Sequence, residues 1–251
     1  MTPEQVQAAT RYLLERRAPD AVLADSLPEQ FHPETLTDAI AIQMATMAVL
    51  GPIGGWKVGA ANPTAEPSAS PLPLSGIQQS PAKFNVRARI AECEIGFRFA
   101  TALPSRDAPY TAAEILAAIG SCHATIEAVD PRFTNHAKLD QLSILADCGM
   151  HGGLAIGPAV AAWQPEMFAT LHVVSTLDKV VQRDALGSNP GGTDLMRLLV
   201  WLANSEVVRA AGGLGAGTYV TTGSWTGADL LPEGAHIVGR FDGFPPVEAA
   251  F

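Results

Sequence analysis

Two glutamates separated by one residue stand inside an apolar run, RIAECEIGFRF at 89–99. Side chains alternate across a strand, so Glu92 and Glu94 share one face while Cys93 and its apolar neighbours pack on the other. Two like charges side by side are unfavourable unless solvent or a cation lies between them. From spacing alone, a solvated face on an edge strand is the more common explanation. A metal site is the more specific explanation, and both stay open at this point.

A third carboxylate, Glu127, follows in the segment IEAVDPRF at 126–133. A Thr-x-x-Glu capping box at 111–114 predicts a helix that begins there and runs to about residue 130. An acid near the C-terminal end of that helix opposes the helix dipole and needs compensation. If the helix packs back across the strand, Glu92, Glu94 and Glu127 converge, and oxygen ligands with open positions suit Mg²⁺ or Mn²⁺.

The composition excludes several functional classes. Of 251 residues, 47% are hydrophobic and 16% charged, which favours a large core or an extensive oligomer interface. The net charge of -9 gives no footprint for nucleic-acid binding. The three cysteines are widely spaced without a CxxC pair, and no apolar stretch is long enough for a membrane span or signal core. We therefore expect a soluble cytoplasmic protein without a membrane partner.

The elements that position these acids can be read from periodicity. Apolar spacing predicts helices at 3–18 and 33–50, which form an N-terminal helical lobe over residues 1–52. The remainder, 53–251, is predicted to be a β-rich catalytic domain that forms one structural unit with the lobe. GGWKVGA at 54–60 reads as a short strand, and the proline-rich segment 62–82 as a long mobile loop, a candidate lid.

The second half of the chain is mainly strand. A hairpin is predicted at 171–182, a helix from Thr193 to about Ala211, and strands in TYVTTGSW and HIVGRFDGFPPVEAAF, whose Asp242-Gly243 is a turn signal. No internal repeat is present. The sum is an α+β fold, with a mostly β core and helices packed around it.

Five motifs then occur in a recognisable order: GWKVGA (55–60), AECEIGF (91–97), TIEAVDPRF (125–133), DCGMHGGLAIG (147–157) and TGSWTG (222–227). With them the chain resembles, over nearly its whole length, the 2-keto-4-pentenoate hydratase and 4-oxalocrotonate decarboxylase branch of the fumarylacetoacetate hydrolase superfamily. The resemblance implies a mixed β-roll core of the fumarylacetoacetate hydrolase C-terminal type with an N-terminal helical lobe. It also implies a homo-oligomer.

The resemblance further implies a metal-dependent site. Glu92, Glu94 and Glu127 would bind Mg²⁺ or Mn²⁺, which would act as a Lewis acid on the 2-oxo group and carboxylate of the substrate. Lys57 would stabilise an anion or move a proton. Asp147 and His151 match recurrent polar positions beside the site and are expected to be catalytic.

The same resemblance suggests residues that contact the substrate. Thr222 or Ser224 would bind its carboxylate through a hydroxyl. Gly187 and Ser188 would bound the pocket, although a turn and a helix cap explain them equally well. The segment GIQQSPAKFN (76–85) departs from the family, which commonly carries an acid there. If that acid carries a proton in the related enzymes, this chain differs from them in catalytic efficiency or in reaction type.

The implied activity is hydration of a 2-hydroxy-2,4-dienoate to a 4-hydroxy-2-oxo acid in aromatic meta-cleavage catabolism. The alternatives are decarboxylation of a 4-oxalocrotonate-type 2-oxo acid, acylpyruvate-type hydrolysis, and a catalytically silent partner subunit of such an enzyme. The expected partner is a small 2-oxo or 2-hydroxydienoic acid, and a hetero-complex with a related hydratase or decarboxylase is a further expectation.

Overall fold

The computed structural model describes residues 1–251 as an α+β fold with two large mixed sheets. The α-helices are α1 (Pro3–Glu15), α2 (Leu36–Leu50), α3 (Ala112–Ala118), α4 (Gln141–Ala146), α5 (Leu195–Ala203) and α6 (Glu206–Ala210). Short 3-10 helices lie at Glu29–Phe31, Leu74–Gly76, His136–Lys138, Cys148–Met150 and Pro165–Thr170. The α+β class expected from the sequence is confirmed.

The strands are numbered along the chain. They are β1 (Ile53–Gly59), β2 (Ser68–Pro73), β3 (Ile77–Gln79), β4 (Ala82–Lys83), β5 (Ile90–Phe99), β6 (Leu103–Pro104), β7 (Ile119–Val129), β8 (His151–Ile156), β9 (His172–Leu177), β10 (Val180–Leu186), β11 (Gly213–Leu214), β12 (Tyr219–Ser224), β13 (Asp229–Leu230), β14 (His236–Phe241) and β15 (Val247–Ala250). The main sheet has the order β2-β1-β12-β5-β7-β8-β3, with β13 on β5, and the second sheet the order β10-β9-β14-β15-β4.

The central strands of the main sheet, β5 and β7, have one apolar and one polar face. Cys93 and Ile95 of β5 and Ile126 of β7 are fully buried in the principal core, together with residues of the second sheet such as Ile237. The two sheets lie close together where Gly239 of the second sheet faces Cys93 of the main sheet. A Cβ added at Gly239 would lie only 2.9 Å from the Cys93 sulfur. Packing of the apolar face therefore fixes which way the acids on the other face point.

Two expected elements are wrong. The capped helix ends at Ala118, and residues 119–129 continue as strand β7 instead of helix. Ile115, Ile119, Cys122 and Ile126 are three or four residues apart, which is also the spacing of one face of a helix. From Cys122 to Ala128, apolar residues take every second position, and this alternation is the pattern expected of a strand in the sheet.

The proline-rich segment is also not a long loop. It forms β2, which pairs with β1 through positions such as Trp56↔Pro71, and then β3, which pairs with β8. Both are outer strands of the sheet. Proline lacks an N–H for a second neighbour, so edge strands tolerate it. The segment was therefore correctly excluded from the sheet interior, but it forms strands rather than a lid.

The remaining expected elements agree with the structure in outline. The helices at α1 and α2, the strands at β1 and β5, the hairpin β9–β10 and the hairpin β14–β15 are present. The expected helix over 193–211 is capped by Asp194 rather than Thr193, and Ser205 begins a separate α6.

The N-terminal helices form a small core of their own with α4. Ala9, Leu13 and Ile42 pack there with Phe133 and Leu145, which come from the later part of the chain. The division at residue 52 stays a prediction. None of the helices combines the length and the apolar character required to cross a membrane.

Candidate metal centre and active site

The three glutamates converge through strand pairing. Glu92 on β5 lies directly opposite Glu127 on the antiparallel strand β7, and Glu94 is the next residue on the same face. One carboxylate oxygen from each lies within 4.8 Å of the others. Glu94 and Glu127 are almost completely buried, with 1% and 0% exposure. The predicted convergence is thus present, although the helix that was expected to produce it is not.

The acids raise one another's pKa values, an effect that a bound cation would oppose. Burial, followed by the charges of Glu127 and Glu92, raises the pKa of Glu94 to about 8. Burial also raises the pKa of Glu92 to about 7, with the Lys57 ammonium acting in the opposite direction. Burial raises the pKa of Glu127 too, but Lys57 and His151 outweigh it and the pKa lies below its ordinary value. Glu127 is therefore the charged member of the set.

Lys57 compensates that charge. It projects from β1, and its Nζ donates to Glu127 Oε1 at 2.7 Å and to the Gly149 carbonyl at 3.1 Å. Burial lowers the pKa of Lys57, but the charges of the glutamates outweigh burial and raise it. The side chain is therefore a fixed cation at the edge of the acid cluster.

His151 contacts the same carboxylate from β8. Its Nδ1 lies 3.3 Å from Glu127 Oε1. Burial lowers the pKa of His151 more than Glu127 raises it, so the ring is neutral at neutral pH and orients Glu127 by a hydrogen bond. His151 Nε2 and Glu127 Oε2 are buried and have no hydrogen-bond partner.

These observations test whether the site fits a divalent cation. A buried carboxylate oxygen without a partner, two neighbouring carboxyls that retain protons to near neutral pH, and an all-oxygen donor set fit Mg²⁺ or Mn²⁺. The residues that would hold the ion are Glu92, Glu94 and Glu127.

A β-bulge in β12 supplies polar groups to Glu94. The register shifts by one residue between Thr221 and Ser224, and Gly223 has φ +92° there. The Thr221 hydroxyl and the Gly223 N–H, the latter at 2.8 Å, both donate to Glu94 Oε2. The expected residue Thr222 instead donates to the Ile95 carbonyl at 2.7 Å, away from the acids. Thr222 and Thr221 therefore point to opposite faces of the strand, and Thr221 is the one that faces the acids.

Asp147 is also placed differently from the expectation. Its carboxylate accepts from Arg132 Nε at 2.6 Å and from the Arg132 backbone N–H, and both side chains are at most 1% exposed. It lines neither of the cavities beside the glutamates. Its contacts are those of a buried ion pair, and we assign it a positioning role.

The ion pair supports a strained turn. Cys148, Gly149 and Met150 have φ values of +50°, +61° and +61°. Arg132 also donates to the carbonyl of Asp147 at 3.0 Å and to that of His151 at 3.1 Å, on either side of the turn. Left-handed conformations in non-glycine residues cost free energy and persist only where the surroundings enforce them. The turn presents the Gly149 carbonyl to Lys57.

Two adjoining cavities, of about 270 Å³ and 240 Å³, open beside the acids, and Lys57, Gly59 and Glu92 line both. Ser224 lines the smaller cavity, as expected of a substrate-binding residue, and its hydroxyl donates to the Gly227 carbonyl. Gly187 and Ser188 do not line either cavity. Gly187 has φ +57°, which suits a turn, and Ser188 donates to the Trp225 carbonyl rather than capping a helix.

Sequence reasoning missed several residues of the site. Asn189, next to Ser188, lines the smaller cavity and donates to the Thr222 and Gly223 carbonyls at 2.9 and 3.1 Å. Ser70 and Gln141 line the larger cavity. Ser70 lies in the segment read as a loop, and only recognition of β2 as a strand pairing with the Lys57 strand could have indicated it.

The segment with the absent family acid lies outside the site. Gln78 bonds the backbone of Lys83, and the Ser80 hydroxyl donates to the Glu248 carbonyl. Neither these residues nor Gln79 line the two cavities. The residues present at 78–80 therefore take no part in the lining of the two cavities.

The chain is similar to known proteins in sequence and in fold. No protein-family model matches the chain. A 4-oxalocrotonate decarboxylase from Pseudomonas putida is 29% identical over 138 residues, which are 55% of this chain and 51% of that protein. The match thus spans about half the length of that relative.

Solved structures extend the likeness to the whole fold. A 4-oxalocrotonate decarboxylase from Pseudomonas putida G7, complexed with magnesium and adipate, has a TM-score of 0.81 at 22% identity and covers 99% of this chain and 98% of its own. A protein from Yersinia pestis CO92 that is assigned to the fumarylacetoacetate hydrolase family has a TM-score of 0.59 at 15% identity, covering 79% and 92%. The chain therefore has the fold of the fumarylacetoacetate hydrolase superfamily and resembles its 2-keto-4-pentenoate hydratase and 4-oxalocrotonate decarboxylase branch.

Proposed function

We propose that the chain is a divalent-metal-dependent enzyme that adds water to a 2-hydroxy-2,4-dienoic acid, by way of its 2-oxo tautomer, to give a 4-hydroxy-2-oxo acid. The metal is Mg²⁺ or Mn²⁺, held by Glu92, Glu94 and Glu127. Bound there, it supplies Lewis acidity to the 2-oxo group of the substrate. The similarity to enzymes of this fold, one of them complexed with magnesium, supports the coarse assignment.

Lys57 carries the proton chemistry in this proposal. Among the residues that line both cavities it is the one cation, and its ammonium lies against the acid cluster. The carboxylates hold its pKa up, so neutralising them makes the ammonium a better proton donor. We assign to Lys57 the proton that converts the dienol into the 2-oxo tautomer. His151, as a neutral imidazole, orients Glu127, and Ser224 and Asn189 bound the substrate.

The observation that carries water addition over decarboxylation is the charge of the pocket. Lys57, which the acids already engage, is the one Lys or Arg that lines the two cavities. A diacid would bring a second carboxylate that has no fixed cation to meet it. His136 also lines the larger cavity.

Decarboxylation of a 4-oxalocrotonate-type 2-oxo diacid is the second candidate. It is favoured by the similar decarboxylase from Pseudomonas putida and by the complex of such an enzyme with adipate, which is a diacid. The same electron-withdrawing 2-oxo group would accept the electron pair left when CO₂ departs. A silent partner subunit is the third candidate, and the intact set of Lys57 and three glutamates speaks against it.

One experiment separates these candidates. The protein with Mg²⁺ is incubated with 2-hydroxypenta-2,4-dienoate and, separately, with 2-oxohex-3-enedioate. We expect loss of dienoate absorbance without CO₂ release, abolished in the Glu92→Gln, Glu94→Gln double variant. CO₂ release from the diacid as the faster reaction establishes the second candidate, and silence with both compounds, and with longer 2-hydroxydienoic acids, is the outcome expected of the third.

The coarser expectations remain with this proposal. We also propose a small-molecule acid as the substrate, a cytoplasmic location, a homo-oligomer and a hetero-complex with a related hydratase or decarboxylase.

A further inference from the structure

A third cavity of about 480 Å³ adjoins the site and is not used by the proposed reaction. It shares Gly59, Ser68, Ala69, Gln141 and Leu145 with the larger cavity beside the glutamates, so the two spaces have a common wall. Gly59 lines all three cavities. The junction between the acids and the additional space is therefore the end of β1, two residues after Lys57.

The lining of this third cavity is chiefly apolar. Helix α2 contributes Leu36 and Ile40, α5 contributes Trp201, and Leu142 and Val207 come from α4 and α6. Its charged residues are Glu66 and Glu206, both exposed, so its electrostatic character is negative where it is not neutral. Glu66 accepts from the Trp201 indole N–H, and Glu206 accepts from Thr37 Oγ1 at 3.0 Å.

Cations are present only farther out. Arg197 and Arg209 line an outer groove that borders the third cavity but not the third cavity itself. The Arg197 guanidinium donates to the Ala65 and Gly191 carbonyls at 3.1 and 3.2 Å, and Arg209 donates to the Asn204 carbonyl at 2.5 Å. These contacts hold the arginines against the backbone, and an anionic group inside the cavity would meet acids and hydrocarbon.

The volume shows that a short substrate does not need this space. At roughly 30 Å³ for each water-sized group, the eight non-hydrogen atoms of a five-carbon 2-oxo acid occupy about 240 Å³. The cavity of about 270 Å³ beside the glutamates already suffices for such a molecule. An additional apolar cavity has a use when the distal end of the substrate is a longer, uncharged carbon chain.

We propose that the substrate of this enzyme is a 2-hydroxydienoic (2-oxo) acid with an apolar chain beyond the reacting carbons, and that this chain passes Gly59 into the cavity between α2, α4 and α5. The inference rests on the proposed function, because it takes the acid end of the molecule to lie at the glutamates. It adds the class of the distal group: hydrocarbon, and not a second carboxylate.

Gly59 provides the blocking variant. A Cβ added there meets nothing closer than the Gly223 Cα at 4.0 Å, and the residue does not have a positive φ. Gly59→Val therefore places a side chain at the junction without a backbone clash. Gly215→Val is the matched control, since Gly215 also lacks a positive φ and lies in a different part of the molecule, beside Thr218.

The test measures equilibrium binding to the Mg²⁺-loaded protein by titration calorimetry. The probes are the saturated acids 2-oxopentanoate, 2-oxohexanoate and 2-oxoheptanoate, and the diacid 2-oxoheptanedioate. Burial of each added methylene should lower Kd about two- to fourfold. The diacid should bind at least about tenfold more weakly than 2-oxoheptanoate, because its distal carboxylate loses water without gaining a cation.

Gly59→Val should remove most of the dependence on chain length, and Gly215→Val should retain it. A flat series in the wild-type protein, or a diacid that binds more tightly than 2-oxoheptanoate, overturns the inference while Mg²⁺-dependent binding of 2-oxopentanoate leaves the proposed function intact. If no acid binds, both fail. If Gly59→Val does not fold, the wild-type series and the diacid still decide.

Discussion

Replacement of Glu94 by glutamine should stabilise the metal-free protein at alkaline pH and change its stability little at acidic pH. Glu94 is 1% exposed, and burial with two neighbouring acids raises its pKa to about 8. An amide oxygen can accept the same two hydrogen bonds, from Thr221 and Gly223, without ever carrying a charge. The variant therefore removes the titration and keeps the contacts.

The sign follows from linkage. Between its ordinary value of 4.5 and about 8, folded Glu94 holds a proton that the unfolded chain has released. The free energy of unfolding therefore decreases as the pH rises through this range, and the full loss is present above about pH 8. At about 1.4 kcal/mol for each pKa unit, the loss due to Glu94 is on the order of 3–5 kcal/mol. The variant should avoid it.

The assay is urea unfolding in the presence of a chelator at about pH 5 and about pH 9, since the linear extrapolation gives the free energy of unfolding at each pH. Glu92 titrates in both proteins, so the difference between wild type and variant reports the titration of Glu94 together with its coupling to Glu92. Glu15→Gln, at an exposed acid on α1, is the control and should change nothing at either pH. A wild-type to variant difference that is the same at both pH values would refute the electrostatic account of the site.

Three further predictions concern the neighbours of the acids. Thr221→Val should weaken Mg²⁺ binding, measured by calorimetry, because Glu94 loses a hydrogen-bond donor. Thr222→Val should leave Mg²⁺ affinity unchanged and cost about 1 kcal/mol of stability. Equal effects of the two variants on Mg²⁺ affinity would show that Thr221 does not support Glu94. Lys57→Met should reduce turnover of the dienoate at least about a hundredfold, with Mg²⁺ affinity retained or increased because a competing cation is gone; a loss of metal affinity would remove Lys57 from the chemistry. Gly149→Ala should lower turnover and destabilise the fold by about 1–2 kcal/mol, since its Cβ would lie 3.0 Å from Lys57 Cδ at φ +61°; wild-type kinetics would show that the turn does not position Lys57.

The sequence predicted the three acids for a partly mistaken reason. The strand pattern of RIAECEIGF correctly placed Glu92 and Glu94 on one face, because period-two alternation is a local property of the chain. The position of Glu127 opposite Glu92 depends on the pairing of β5 with β7, which is not a local property. The capping box at Thr111 is present, but the helix that it begins has only seven residues. The helix prediction continued past its end into the strand. The family resemblance, rather than the periodicity, is what joined the acids correctly.

The orientation of Thr222 could not be predicted from the sequence, for a more general reason. In a regular strand, the residue facing Glu94 could be found by counting, but the bulge at Gly223 inserts one residue and exchanges the faces on either side of it. Neither the glycine nor the threonines indicate from sequence which hydroxyl faces the acids. The ion pair of Asp147 was not predicted for a related reason, since its partner Arg132 is fifteen residues away and meets it only in the folded chain.

The helical lobe supports the candidate active site, because a side chain of α2 contacts residues that line the larger cavity. Gln43 of α2 donates to the Leu145 carbonyl at 2.7 Å and to Ser70 Oγ at 3.0 Å. It thereby joins α4, which leads into the turn at 148–150, to the strand that lines the larger cavity. The same glutamine and Leu145 also line the third cavity, and Leu145 forms the wall that the two cavities share. A buried polar residue at this junction fixes the lobe against the β core through directional hydrogen bonds. The relative position of the lobe and the β core therefore determines how the proposed cavity for the substrate chain meets the cavity beside the acids.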